Sequence, residues 1–127
     1  MKKNNIIKAA ALSGALAVVI GAFGAHGLKP HFSDYQMDIY EKGVHYQFFH
    51  VLAMLGIGIY YQHKPSVWLK RAAWAFGIGI LFFSGSLYLL ACRDLLPFNV
   101  AWAGPITPLG GLSFIAGWGM ITMNDER

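Results

Sequence analysis

Residues Ala72–Cys92 read AAWAFGIGILFFSGSLYLLAC, 21 residues without a charge. A helix of that length rises about 30 Å at 1.5 Å per residue, which matches the hydrocarbon core of a bilayer. Trp68, Lys70 and Arg71 stand just before the stretch, and Arg93-Asp94 closes it. Tryptophan and basic side chains are favoured at membrane interfaces, so the ends are marked as well as the middle. The stretch reads as a membrane-spanning helix, and that sets the solvent for the rest of the chain.

Composition agrees. Of 127 residues, 56% are hydrophobic and 13% are charged, where an aqueous domain carries about 25% charged residues. The length allows one domain, residues 1–127. A net charge of +4 gives no nucleic-acid footprint, because Lys and Arg sit in small groups beside apolar runs and form no single patch. They read as orientation signals, and no nucleic-acid partner is expected. Cys92 is the one cysteine, which excludes an intrachain disulfide and a multi-cysteine metal site.

Working outward, the spans are expected at about residues 6–28, 44–62, 72–92 and 107–124, an all-α, four-helix membrane bundle. The first begins after a basic start. It is longer than the roughly 7–15 apolar residues of a signal-peptide core, so it reads as an uncleaved span, with cleavage as the alternative. Its Ala10, Gly14, Ala17, Gly21 and Gly24 recur in steps of four and three, a strip of small side chains that lets helices approach closely in lipid.

Lys29-Pro30 ends that span. Ser33-Asp34-Tyr35-Gln36 then fits a capping box, and Asp34, Asp38, Glu41, Lys42 and His45 share one helical face. This predicts an amphipathic entry to the second span, with Gly43 free to bend it. The last span is interrupted: Pro97, Pro105 and Pro108 fall in an uncharged stretch. Thr107-Pro108 reads as an N-cap followed by proline at the first helical position. A helix from Pro108 to Met123 rises only about 24 Å. Either Phe98–Ile106 dips into the membrane as covered irregular backbone, or the bilayer tilts or thins the span to fit.

Four spans put both ends on one side, with Lys2, Lys3, Lys8, Lys64, Lys70, Arg71 and Arg127 against Lys29, Lys42 and Arg93 across the membrane. The excess of basic residues makes that side cytoplasmic. The unusual polar residues then gather outside. His26, Glu41, His45, Tyr46, His50 and Arg93 form a candidate polar cluster, beside a turn whose Gly104, Thr107, Gly110 and Gly111 can offer backbone N–H groups to an anion or lipid.

Three roles compete for the cluster. Metal binding is poorly supported: His45 and His50 lie five apart and diverge around a helix, and no HExxH is present. No metal and no cofactor is expected. His50 is the deepest titratable group, with Tyr46 one turn earlier placed to hydrogen-bond to it, but a proton or ion path needs polar groups across the whole membrane. Spans three and four offer only Ser84, Ser86, Ser113 and Thr122. The remaining role is cross-linking of helices by His26, His50, Tyr88, Trp102 and Arg93, since polar groups in lipid need partners. No catalytic constellation emerges. Ser84-Gly85-Ser86 lacks the strand–turn context of a nucleophile elbow.

Together, GAFGAH at 21–26, YQFFH at 46–50 with LAMLG at 52–56, FSGSLYLLA at 83–91 and ITPLGGLSFIAGW at 106–118 resemble the YgdD-like small inner-membrane family, a domain of unknown function (domain of unknown function 423). The resemblance implies a four-span protein of the bacterial inner membrane and supplies no reaction and no catalytic residue. The expected role is a non-enzymatic binding or assembly partner of membrane proteins or lipids, or a homo-oligomer. The small faces of span one and of span four (Gly110, Ser113, Gly117) are expected to make those contacts. The alternatives are a small transporter or channel, and a lipid- or quinone-directed enzyme.

Overall fold

A computed structural model describes residues 5–124. Among them every regular element is helical, and the chain forms four rods. The expected orientation charges Lys2, Lys3 and Arg127 lie outside the described residues.

The first rod is α1 (Asn5–Phe23), prolonged by a wide π turn at Gly24–Leu28 and a tight 3-10 turn at Lys29–His31. The second is α2 (Asp34–His63), 30 residues without interruption. The third combines α3 (Val67–Gly79), a π turn at Ile80–Ser84 and α4 (Gly85–Ala91). The fourth is α5 (Ile106–Thr122). Two stretches, Asn5–His31 and Val67–Ala91, are long and apolar enough by length and composition to cross a membrane.

The capping box forms as expected. Gln36 N–H donates to Ser33 Oγ at 3.1 Å, and Ser33 N–H donates to Gln36 Oε1 at 2.8 Å. Gln36 does more than close the box: its Nε2 donates to Asp94 Oδ2 at 2.7 Å, tying the start of α2 to the end of the third rod. The acidic and basic face of the entry (Asp34, Asp38, Glu41, Lys42, His45) is exposed throughout.

One local expectation is corrected, at Thr107. α2 runs unbroken through Gly43, whose missing side chain admits the Tyr88 ring; a Cβ there would stand 2.7 Å from Tyr88 Cε1. Thr107 does not cap α5, which begins at Ile106 with Pro105 before it and no side-chain cap. Its hydroxyl is instead shared with Ser86 Oγ at 2.5 Å. The stretch before α5 is irregular apart from 3-10 turns at Arg93–Leu95 and Ala101–Ala103, and it lays Val100 and Ala103 into buried positions.

Packing follows chain order: α1 on α2, α2 on the third rod, and the third rod on α5. Within the third rod the partner changes along its length. Below the π turn α3 packs chiefly on α5, and above it α4 packs chiefly on α2. The Gly85 N–H reaches back five residues to Ile80 C=O, so one extra residue turns the helix face by about 100°.

Large and small side chains are distributed for an oily surrounding. Ala10 and Ala17 have no exposed surface, while Leu12 is 74% and Ile115 68% exposed. With lipid outside there is no gain in hiding leucine, and small residues go where backbones must meet. The small faces of spans one and four are therefore used within the bundle rather than kept for partners. Gly14 and Gly21 meet Val51 and Val44 of α2. Ser113 Oγ donates to Ala75 C=O at 2.7 Å, and Gly110 lies directly on the backbone of Phe83. What faces outward is bulky and apolar: Leu16 and Val19 on α1, Leu109 and Leu112 on α5.

Candidate functional site

The interior of α2 carries one seam: Gln36, Tyr40, Gly43, Gln47, His50, Met54 and Ile57, all buried. The steps alternate four and three, the spacing that keeps one helix face on its neighbours. The first part of the seam is polar and hydrogen-bonded, and the last part is apolar.

Each polar member joins α2 to another rod. Tyr40 Oη donates to Ile20 C=O at 2.6 Å. Gly43 C=O accepts from Ser84 Oγ at 2.6 Å. Gln47, 2% exposed, joins three rods: its Nε2 donates to Ser13 C=O at 2.9 Å, and its Oε1 accepts from Tyr88 Oη at 2.7 Å. An amide is suited to this because it donates and accepts through one flat group.

His50 ends the polar part of the seam. Nδ1 lies 2.7 Å from Tyr46 C=O, and Nε2 lies 3.1 Å from Trp118 Nε1. A carbonyl only accepts and an indole N–H only donates, so the geometry assigns a neutral imidazole with its hydrogen on Nδ1. The ring stacks on Phe114 at 3.6 Å between centroids and meets Phe76 edge-on at 5.1 Å. With both nitrogens engaged and aromatic faces around it, the side chain links α2 to α5. The expected contact with Tyr46 forms through the backbone: Tyr46 supplies its carbonyl to Nδ1 and a stacked ring at 6.2 Å.

The rest of the expected cluster lies on the surface. His26, Glu41, His45 and Arg93 are exposed, and Tyr46 is 39% exposed. Glu41 and His45 border a shallow depression of about 190 Å³ with Asp38 and Tyr46. Arg93 borders another of about 260 Å³ with Asp94 and Asn99. Trp102 bonds only locally, to Asn99 C=O at 3.1 Å. The start of α5 is packed rather than open: Gly110 is buried, Gly104 and Gly111 are half-buried, and Thr107 is bonded to Ser86. Among the described residues no three His, Cys, Asp or Glu side chains converge to hold a metal.

Neither charge nor metal-ligand spacing marks Tyr40 and Gln47, and Gln36 is marked only by its capping box. Their four-and-three spacing ahead of His50 was the available signal. One consequence is testable. Trp118→Phe leaves His50 Nε2 without its donor and should lower stability by about 0.5–1.5 kcal/mol. Nitrogen NMR of labelled histidine should show the Nδ1–H tautomer in the parent and a tautomer mixture in the variant; an Nε2–H parent contradicts the assignment.

Bulky apolar side chains outside and hydrogen-bonded polar ones inside define a helical membrane protein held together by interhelical polar contacts. The chain belongs to the family described as Protein of unknown function (DUF423), whose model matches residues 20–111. It is 43% identical over 114 residues to UPF0382 membrane protein SH2409 of Staphylococcus haemolyticus, covering 90% of this chain and 88% of that one. It is 41% identical over 118 residues to UPF0382 inner membrane protein YgdD of Escherichia coli strain K12, covering 93% and 86%. A UPF0382 membrane protein of Staphylococcus epidermidis is 46% identical over 108 residues, covering 85% and 84%. No solved structure matches.

Proposed function

We propose that the protein crosses the bacterial cytoplasmic membrane four times with both ends inside, and works there as a non-enzymatic partner in membrane assembly. The observation behind this reading is the completeness of interior pairing. Among the described residues, Asn124 Oδ1 at the end of the last rod is the single buried side-chain N or O atom without a partner. A catalytic site needs groups held ready for a substrate, whereas here Gln47, His50, Ser84 and Ser86 are engaged with neighbouring rods. The surface left for function is the outward apolar face of α1 and α5, and the relatives named membrane and inner membrane proteins support the location.

Photo-crosslinkers at Leu16 and Leu112, both exposed, test the assembly role in intact membranes. Discrete protein adducts are expected from at least one of them. Lipid adducts alone at both positions would remove the reading. Orientation is tested separately by cysteine accessibility in a Cys92→Ser background. Position 29 should label from outside, and labelling from outside at position 64 inverts the topology.

A further inference from the structure

A groove of about 280 Å³ runs between the start of α1 and α3. Ile6 and Ala9 form one wall and Ala73, Trp74 and Gly77 the other, with Met54 of α2 between them. The lining is almost wholly apolar, and its small residues leave a channel that side chains do not fill. A Cβ placed on Gly77 meets nothing within 4 Å.

Both walls begin at the same end of the bundle, because α1 and α3 are separated by one antiparallel rod. At that mouth Asn5 is a lining residue. Lys70, one turn before Trp74, falls in the middle of the stripe that faces the groove. It is half-buried, and among the described residues no hydrogen bond or ion pair is made by its ammonium. Arg71 flanks it with its guanidinium 5.0 Å from the centre of the Trp68 ring. An apolar channel with a cationic mouth at a membrane interface is complementary to one kind of molecule: a lipid with an anionic headgroup.

We propose that this groove binds one anionic phospholipid, an acyl chain lying along Ala9 and Gly77 and the phosphate held at Lys70. The proposal needs only that this end of the bundle meet a bilayer, so it stands or falls independently of the assembly reading above. Lys70 has a point charge suited to a phosphate oxygen, and Asn5 can donate beside it. The pattern differs from a basic residue placed only for orientation, because that role gives no reason for an unfilled channel beneath it.

The test is native mass spectrometry of the full chain in mild detergent, after exposure to phosphatidylglycerol or phosphatidylcholine of equal chain length. The parent should retain one phosphatidylglycerol per protomer, at least tenfold over phosphatidylcholine. Gly77→Leu fills open space and should cut retention at least tenfold with helicity unchanged. Ala9→Phe closes the channel from the other wall and replaces it if the first variant fails to fold. Lys70→Gln should keep acyl binding and lose the headgroup preference. Undiminished retention in the filled variant, unchanged preference in Lys70→Gln, or a lipid-free dimer that resists added phosphatidylglycerol each overturns the proposal; the last would assign the groove to a second copy.

Discussion

Gly110→Ala should cost about 3 kcal/mol or more, the upper end of the range for overpacking. It is the smallest possible change at this position, yet the new Cβ would fall on the backbone nitrogen and Cα of Phe83 and 2.8 Å from the carbonyl carbon of Phe82. Where an added methyl meets a side chain, a rotamer change can relieve the contact. Here it meets main chain inside a π turn, so either α5 or the third rod must move as a whole. Ser113 Oγ would then lose Ala75 C=O, and Phe114 its stacked position on His50. Gly119→Ala in the same helix is the internal control. Nothing lies within 4 Å of a Cβ there, and the change should stabilise by up to about 1 kcal/mol through helix propensity. Unfolding by titration with a denaturing detergent separates the two. Equal stability of Gly110→Ala and the parent would mean that this close approach does not exist.

Gln47→Leu comes next, at about 1–3 kcal/mol, because it leaves the Tyr88 hydroxyl without its acceptor in a buried place. Tyr88→Phe strands Gln47 Oε1 in the same way. The informative variant is the double one. With both partners apolar nothing is stranded between them, so the combined loss should fall short of the sum by about 0.6 kcal/mol, the average for such contacts in a membrane bundle, and by no more than about 1.7. Strict additivity would show that the 2.7 Å contact carries no coupling. The Ser13 side of Gln47 should be less sensitive, since Ser13 C=O keeps its place in the ladder of α1 when the amide leaves.

Much of the fold could be read from the residue order because lipid imposes few options. Uninterrupted apolar length announced the third rod, and the stripe from Ala10 to Gly24 announced that α1 would be held closely. Ser33 and Gln36 named the start of α2 because a capping box is purely local. What could not be read was the company each residue keeps. The partner of the Thr107 hydroxyl lies 21 positions earlier, at Ser86, and local pattern suggested a cap. Gly43 could be read as a point where α2 is free to bend, but nothing nearby in sequence reveals Tyr88 sitting over it. The small face of α5 looked available for a partner outside the chain, and it is filled from within by Phe76 and Phe83.

The site followed the same division. His50 stood out by its chemistry and is indeed buried, but its companions in the sequence were grouped by charge and expected depth. The bundle grouped residues by phase instead. Tyr40 and Gln47 carry no charge that marks them, and Gln36 was marked only by its capping box, although all three share His50's side of the helix. Glu41 and His45 stand on the same helix, yet they lie round it on the exposed side.

The wide turn at Ile80–Ser84 makes the third rod a phase shifter. Its lower half is indexed to one neighbour and its upper half to another, and the register between the two is stored in a single surplus residue. Loss of any one residue from 80–84 would leave an ordinary straight helix, with every side chain from Gly85 onward rotated by about 100°. Leu87 and Ala91 would swing out of the core, and Tyr88 away from Gln47. An uncharged apolar helix, which looks forgiving, thus has a fixed length, while the tolerance for insertion lies in the proline-rich loop beyond it.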